Sequence, residues 1–290
     1  FENFKSRITE LKKISVERSY FNTLRSAWVI FNQRLPLEGF DALCVHNEGL
    51  GSLINFKNKD IAKICICYTP LKVIYDAVLR RDYISKNLYK TPFYFLFYFL
   101  FKAIDKKAFE LYDLCFCISK EVRDRILKNN LLPDYKLKVL NLGVDTMYFS
   151  GNTVYGNYFF HPTRIKWWKN IELSIEAFNI AQMEHEGLRN FKLIIAGELY
   201  QTNNSYYEKL KKMAVLNKNI IIEINPSEKD ILNLYKNCRA VLSTTLNEDF
   251  GLTVLEGLSF SKPVIAINNG GPKEIIKNGI TGFLSSPDAR

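Results

Sequence analysis

Hydrophobic positions along the second half of the chain come in short apolar runs separated by longer stretches of helical spacing. The runs are Asn157 to His161, Phe191 to Ala196, Asn219 to Ile224, Arg239 to Thr244 and Pro263 to Ile267. Runs of this length bounded by polar or glycine turns read as buried strands, and their alternation with helices predicts a parallel, doubly wound sheet. In the first half, Asp41 to His46, Ile61 to Tyr68, Leu111 to Ile118 and Lys136 to Leu140 read as strands, and residues 1–40 look helical, with an apolar face over Ser26 to Leu35. Pro70 is placed for the first turn of a helix, and Ser119 to cap a helix over Lys120 to Asn129. The expected organisation is α/β: a partial N-terminal lobe over 1–145, a polar, glycine-punctuated linker over 146–156 and a C-terminal lobe over 157–290.

The stretch Asn247-Glu-Asp-Phe-Gly-Leu-Thr-Val-Leu-Glu256 carries the chemistry. A strand ends near Thr245 and a helix runs from Leu252 to Phe260, so Glu248 to Gly251 is the turn at the sheet's carboxyl edge, where open α/β folds bind ligands. Glu248 and Glu256 would stand about 12 Å apart in pure helix. Two carboxylates so spaced suit hydroxyls at the two ends of an elongated ligand, and the amides of Gly251, Leu252 and Thr253 open a helix whose N-terminus attracts phosphate. The implied ligand is a sugar, a diphosphate and a ribose in a row.

These residues resemble the Glu-x7-Glu motif of the retaining nucleotide-sugar glycosyltransferases of family 4, with Phe250, Gly251, Leu252 and Thr253 filling it. Lys262 to Glu274, with its Asn-Asn-Gly-Gly-Pro, and Gly279 to Leu284 look like that family's next strand, glycine-rich loop and hairpin. A bare Glu-x7-Glu carries little weight; three ordered blocks over about forty residues carry much more. Arg164-Ile-Lys-Trp-Trp-Lys169 is similar to the family's Arg-x4-Lys stretch, which contacts the donor diphosphate, and Gly197 ends the next strand, where it either approaches the nucleotide or makes a plain turn. Tyr68-Thr-Pro-Leu-Lys72 is similar to the His-Thr-Pro-Leu-Arg of a branch that includes mannosyltransferases, with Tyr in place of His and Lys in place of Arg. A phenol mostly donates a hydrogen bond where an imidazole would share a proton, so Tyr68 either orients a sugar hydroxyl or packs at the strand end. His46, directly after a strand, is either a cleft residue or a loop hydrogen-bonding group.

The resemblance implies two Rossmann-like lobes of the GT-B type facing a cleft, with the N-terminal lobe incomplete. It implies transfer of a hexose, mannose in the branch named, with retention of configuration, to a glycan or lipid-linked acceptor. Arg164 and Lys169 would stabilise the leaving diphosphate, Glu248 would contact the donor sugar and Glu256 the ribose. No Asp-x-Asp occurs, so a metal-independent reaction is expected, with the nucleoside diphosphate sugar as co-substrate and no other cofactor. An inactive nucleotide-sugar-binding or scaffold protein is the second reading, and a basic nucleic-acid binder the third.

Composition changes the picture in a few places. The net charge of +10 asks for an anionic partner; no nucleic-acid recognition motif accompanies it, while charged sugar donors, an anionic membrane surface or a merely lysine-rich solvated surface all fit. Cys65, Cys67, Cys115 and Cys117 alternate within strand-like runs without zinc spacing, which reads as buried thiols in a reducing cytoplasm. The run Phe93 to Phe101 is too short to span a bilayer; flanked by Lys90, Lys102, Lys106 and Lys107, it either lies in a membrane interface or packs as a helix within the fold. A cytoplasmic protein, peripheral on the cytoplasmic membrane face, is the location expected. The chain opens at Phe1 and stops at Arg290 just after the expected Gly282 hairpin, so it reads as a piece of a longer protein.

Overall fold

The computed structural model describes residues 20–86, 91–146, 155–200 and 204–289. The expected helix over residues 1–19, most of the 146–156 linker and Lys90 lie outside the described residues. The chain divides into two compact units, one of residues 1–117 and 122–139 and the other of residues 118–121 and 140–290.

The first unit contains α1 (Tyr20–Phe31), β1 (Ala42–Gly49), β2 (Ala62–Pro70), α2 (Lys72–Tyr75), α3 (Ala77–Lys86), α4 (Thr91–Glu110) and β3 (Leu114–Cys117). It continues through α5 (Lys120–Lys128), whose first two residues group with the second unit, to β4 (Leu137–Val139). Among the described residues its four strands are parallel and lie in chain order, β1-β2-β3-β4. Cys65 pairs with Cys115 and Cys67 with Cys117 in the β2–β3 register, all four buried on one sheet face. Hydrogen bonds among the cysteines, and after them burial, raise the Cys67 and Cys117 thiols far above their ordinary range. Among the described residues no group of three or more His, Cys, Asp or Glu is arranged to hold a metal ion.

Two expectations for this unit change. Pro70 does not open a helix: it is the last residue of β2, opposite Gly49, beyond a register shift at Asn47/Glu48. A strand terminus tolerates proline because the missing N–H takes only one place in the ladder. His46 lies within β1 rather than after it, because β1 runs on to Gly49. The aromatic run expected over Phe93 to Phe101 lies in α4, a twenty-residue helix, and among the described residues no helix is long and apolar enough to cross a membrane.

The second unit follows with β5 (Tyr158–Pro162), α6 (Ile171–Glu184), β6 (Lys192–Gly197), α7 (Asn204–Ala214), β7 (Ile220–Ile224), α8 (Glu228–Asn237) and β8 (Ala240–Ser243). It closes with α9 (Leu252–Ser259), β9 (Val264–Ile267), α10 (Pro272–Ile275) and β10 (Gly282–Ser285). Among the described residues all six strands are parallel, in the order β10-β9-β8-β5-β6-β7. Alternate residues of β6 feed two cores: Leu193 and Ile195 pack with Ile171, Ile175, Phe178 and Leu210, and Ile194 and Ala196 with Tyr235, Val254 and Phe260. A sheet covered on both faces in this way is doubly wound, as the apolar runs predict.

The expected hairpin at Gly279 to Leu284 is absent. After a tight turn at Gly279, β10 runs parallel to β9, and Gly282 faces Val264, where an added Cβ would meet the Val264 carbonyl oxygen at 2.0 Å. The short α10 carries the chain back across the sheet, which permits a parallel pairing.

Candidate functional site

Strand order reverses at β5: the chain moves outward through β6 and β7, then returns to add β8 on the other side of β5. Such a reversal separates the loops at the carboxyl ends of the two neighbouring strands and opens a crevice between them. The Arg164–Lys169 loop follows β5, and the Glu248 turn follows β8, so both border that crevice.

The β5 loop is held on both sides. Thr163 donates its amide to Ala196 O and Ile165 to Glu198 O at 2.9 Å each, which lays the loop's start along the end of β6. Gly197 is glycine for this reason, since an added Cβ would stand 1.8 Å from the Thr163 carbonyl oxygen. Toward β8, Thr244 Oγ1 donates to the carbonyls of Lys169 and Asn170 at 3.0 and 2.8 Å, and the Leu246 amide donates to Trp168 O at 3.1 Å. Asn170 takes a left-handed conformation, φ 51°, and turns the loop into α6.

Lys169 is thereby brought to Glu248, with Nζ and Oε2 2.6 Å apart and both side chains largely shielded from solvent. Lys166 is buried, its ammonium 5.1 Å from the Trp168 ring centre and 4.6 Å from that of Tyr200. Arg164, by contrast, is exposed on the β6 flank, near Glu198 and Tyr200. Beneath the loop, His161 is fully buried with Nδ1 2.8 Å from Ser174 Oγ; burial, then the nearby Lys169 charge, lowers its pKa to about 3, so it is neutral.

The Glu248 turn is clamped from the other side by the glycine-rich loop. Gly271 donates its amide to Glu248 O at 2.8 Å, and the Asn247 amide donates to Asn269 Oδ1 at 2.9 Å. Gly270 has φ +68°, and an added Cβ would stand 2.4 Å from the Glu248 carbonyl oxygen. Phe250 is buried, and Gly251, at φ +107°, precedes the first turn of α9. The amides of Leu252 and Thr253 begin α9, where helix geometry supplies no intrahelical acceptor. Glu256 sits one turn further on and accepts a hydrogen bond from the Tyr235 hydroxyl of α8. Burial raises its pKa, and that hydrogen bond partly offsets the rise.

Ser119 immediately precedes α5, the position expected of its cap. Its hydroxyl donates to the Asp249 carbonyl, and the Glu274 carboxylate accepts the amides of Lys120 and Glu121 at 2.9 Å each. A carboxylate at the helix opening satisfies two amides where a hydroxyl satisfies one. Tyr68 belongs to the first unit, with its hydroxyl 3.0 Å from His46 Nδ1.

Of the expected residues, then, Lys169 and Glu248 are in direct contact, and Phe250, Gly251, Leu252 and Thr253 line the same turn. Arg164 and Gly197 lie on the loop's other flank, and Glu256 turns to Tyr235. Thr244, Asn269, Glu274 and Tyr235 escape a reading of the sequence because each acts on a residue distant in the chain. Chemically, the arrangement offers cationic and amide donors for an anion beside a carboxylate that can accept from hydroxyls.

The family model described as glycosyl transferases group 1 matches residues 151–289. Alpha-1,3/1,6-mannosyltransferase ALG2 of Homo sapiens is 36% identical over 128 residues, covering 41% of this chain and 31% of that protein. Its namesake from Candida glabrata is 25% identical over 280 residues, covering 81% of this chain and 58% of that protein. The chain thus spans less than two thirds of these curated relatives. Among solved structures, Anabaena Alr3699/HepE in complex with UDP and glucose superposes with a TM-score of 0.66 at 17% identity, covering 97% of this chain and 73% of its own. A glycosyltransferase from Rickettsia africae gives a TM-score of 0.63 at 22% identity, covering 99% of this chain and 73% of its own. The fold of two Rossmann-like units is therefore the one expected from the resemblance.

Proposed function

We propose that the chain, whose residues 151–289 match the family model of glycosyl transferases group 1, is part of a retaining hexosyltransferase. The enzyme moves mannose from a nucleoside diphosphate mannose to a hydroxyl of a glycan or lipid-linked acceptor, without a metal cofactor. The observation that carries this reading is the Lys169–Glu248 pair at the point where strand order reverses, beside the first amides of α9. The mannosyltransferase relatives support the choice of sugar.

In this reading the donor diphosphate lies along Lys169 and the amides of Leu252 and Thr253, with Arg164 reaching it from the loop's other flank. As the bond from the anomeric carbon to the diphosphate oxygen breaks, these donors take up the charge that develops on the leaving group. Lys169 is already beside Glu248, so an arriving diphosphate shares a cation that the carboxylate holds in place. Glu248 accepts from the donor sugar's hydroxyls, and Glu256, oriented by Tyr235, accepts from the ribose. Tyr68, buttressed by His46, orients a sugar hydroxyl. The protein works in the cytoplasm, peripheral to the membrane face that presents its acceptor.

The test is incubation of full-length protein with labelled nucleoside diphosphate mannose or glucose and a lipid-linked glycan acceptor. Mannosylated product is expected. Intact donor with every acceptor, alongside correct folding, overturns the proposal.

A further inference from the structure

Helix α4 has an apolar surface on two sides. Its inner side buries Tyr94, Phe101 and Phe109, yet Phe95, Leu96, Phe99, Leu100 and Ile104 are 42%, 61%, 65%, 57% and 45% exposed. These five positions follow i, i+4 and i+8 spacing, so they form one continuous outward stripe about 14 Å long at 1.5 Å per residue. A surface helix ordinarily turns polar residues outward, and a contiguous apolar patch on a folded protein marks something it binds.

The stripe's surroundings choose the partner. Lys106 lies seven residues after Phe99 and Lys107 seven after Leu100, so the same face passes from apolar to cationic within two turns. Arg80 and Lys102 flank it, each within hydrogen-bonding reach of the Tyr98 hydroxyl and stacked over its ring at 5.4 and 5.6 Å. The acidic groups nearby are Glu110, which pairs with Lys106 at 4.0 Å, and Asp105, which is turned inward to Ser52 and Tyr75. Among the described residues, four cations around an exposed Phe-Leu stripe therefore face one carboxylate. Rings and aliphatic chains in the acyl boundary with ammonium and guanidinium groups among phosphates are what an anionic bilayer surface takes up.

We propose that the outer face of α4 docks the protein onto an anionic lipid surface, with Phe95, Leu96, Phe99 and Leu100 entering the interface and Lys106 and Lys107 meeting the headgroups. This deepens the peripheral location put forward above by naming the element responsible, and it rests on that reading only for the lipid acceptor. A second copy of the chain or another protein segment on the same face is the alternative that the experiment separates.

Full-length protein is floated with vesicles of phosphatidylcholine alone or of phosphatidylcholine with phosphatidylserine. Binding is expected on the anionic vesicles and should weaken with salt. F99E/L100E should lower the bound fraction at least about tenfold, and K106E/K107E roughly tenfold, with thermal melts unchanged because these side chains are exposed. No flotation of the wild-type protein, equal flotation of the variants, or a wild-type dimer in sedimentation velocity that F99E/L100E dissociates would each overturn the proposal. Donor turnover measured without vesicles should be unaltered by F99E/L100E, so loss of docking and failure of the transferase reading give different results.

Discussion

Lys169 Nζ and Glu248 Oε2 meet at 2.6 Å across 79 positions of the chain, joining the loop after β5 to the turn after β8. With side chains only 13% and 20% exposed, the two charges interact in a weaker solvent screen than a surface pair would. The contact ties a cation suited to phosphate to a carboxylate suited to sugar hydroxyls.

Removing either partner should harm both stability and transfer. Lys169→Ala and Glu248→Ala are each expected to cost about 1–3 kcal/mol, from the shielded charge left behind, and to lower mannosyl transfer by roughly a hundred- to a thousandfold. The swapped pair, Lys169→Glu with Glu248→Lys, should recover urea stability without recovering transfer. Recovery of both would reduce the pair to a structural brace.

Glu256 should respond to its neighbour. Glu256→Gln is expected to weaken binding of a nucleoside diphosphate about tenfold by calorimetry, since a charge-assisted acceptor for hydroxyls is lost. Tyr235→Phe removes the hydrogen bond that opposes the burial-driven rise in the Glu256 pKa. In that variant the carboxylate takes up its proton at higher pH, so binding should fall away at a higher pH than in the wild-type protein. Coincident pH profiles would contradict this.

Glycines of the loop after β9 should be unequal. Gly270→Ala places a Cβ 2.4 Å from the Glu248 carbonyl oxygen at φ +68°, so a loss of about 1–3 kcal/mol together with reduced transfer is expected. Gly279, at φ +77° with nothing within 4 Å, should lose about 1–2 kcal/mol on change to Ala through backbone strain alone, with transfer intact. Denaturation midpoints and initial rates on both variants make the comparison.

Asp105 should give the first unit a distinctive pH dependence. Burial raises its carboxyl from 3.8 to about 6, against the lowering effect of hydrogen bonds from Ser52 and Tyr75. The folded state therefore holds this proton more tightly than the unfolded chain, and the group favours folding below the ordinary value and loses that contribution as pH rises through about 6. The difference corresponds to roughly 3 kcal/mol. Asp105→Asn should flatten this part of the stability profile between pH 4 and 6, as measured by urea denaturation.

Much of the second unit is legible in the sequence, because strands buried on both faces leave nearly continuous apolar runs. The expected run Phe191 to Ala196 and the observed Lys192–Gly197 differ by a single residue at each end. The turn holding Glu248 and the start of α9 at Leu252 also follow from Gly251, which opens a helix in the left-handed region. Direction was less legible: Gly279 and Gly282 suggested a hairpin, yet local glycine spacing says nothing about whether the next strand returns on the same side or crosses over α10. Contacts between distant elements were not legible at all. Tyr235 reaches Glu256 from a helix 21 positions earlier, and Thr244 pins Lys169 from 75 positions later, through a register that only the assembled sheet defines. In the first unit, His46 meets Tyr68 because β1 runs beyond the residue where its apolar pattern ends.

The most direct measurement is a crystal structure of the full-length protein with a nucleoside diphosphate. The diphosphate is expected beside Lys169 and the first amides of α9, with a ribose hydroxyl on Glu256. A ligand bound elsewhere, with Lys169 and Glu248 still closed on each other and no phosphate at Leu252, would contradict it.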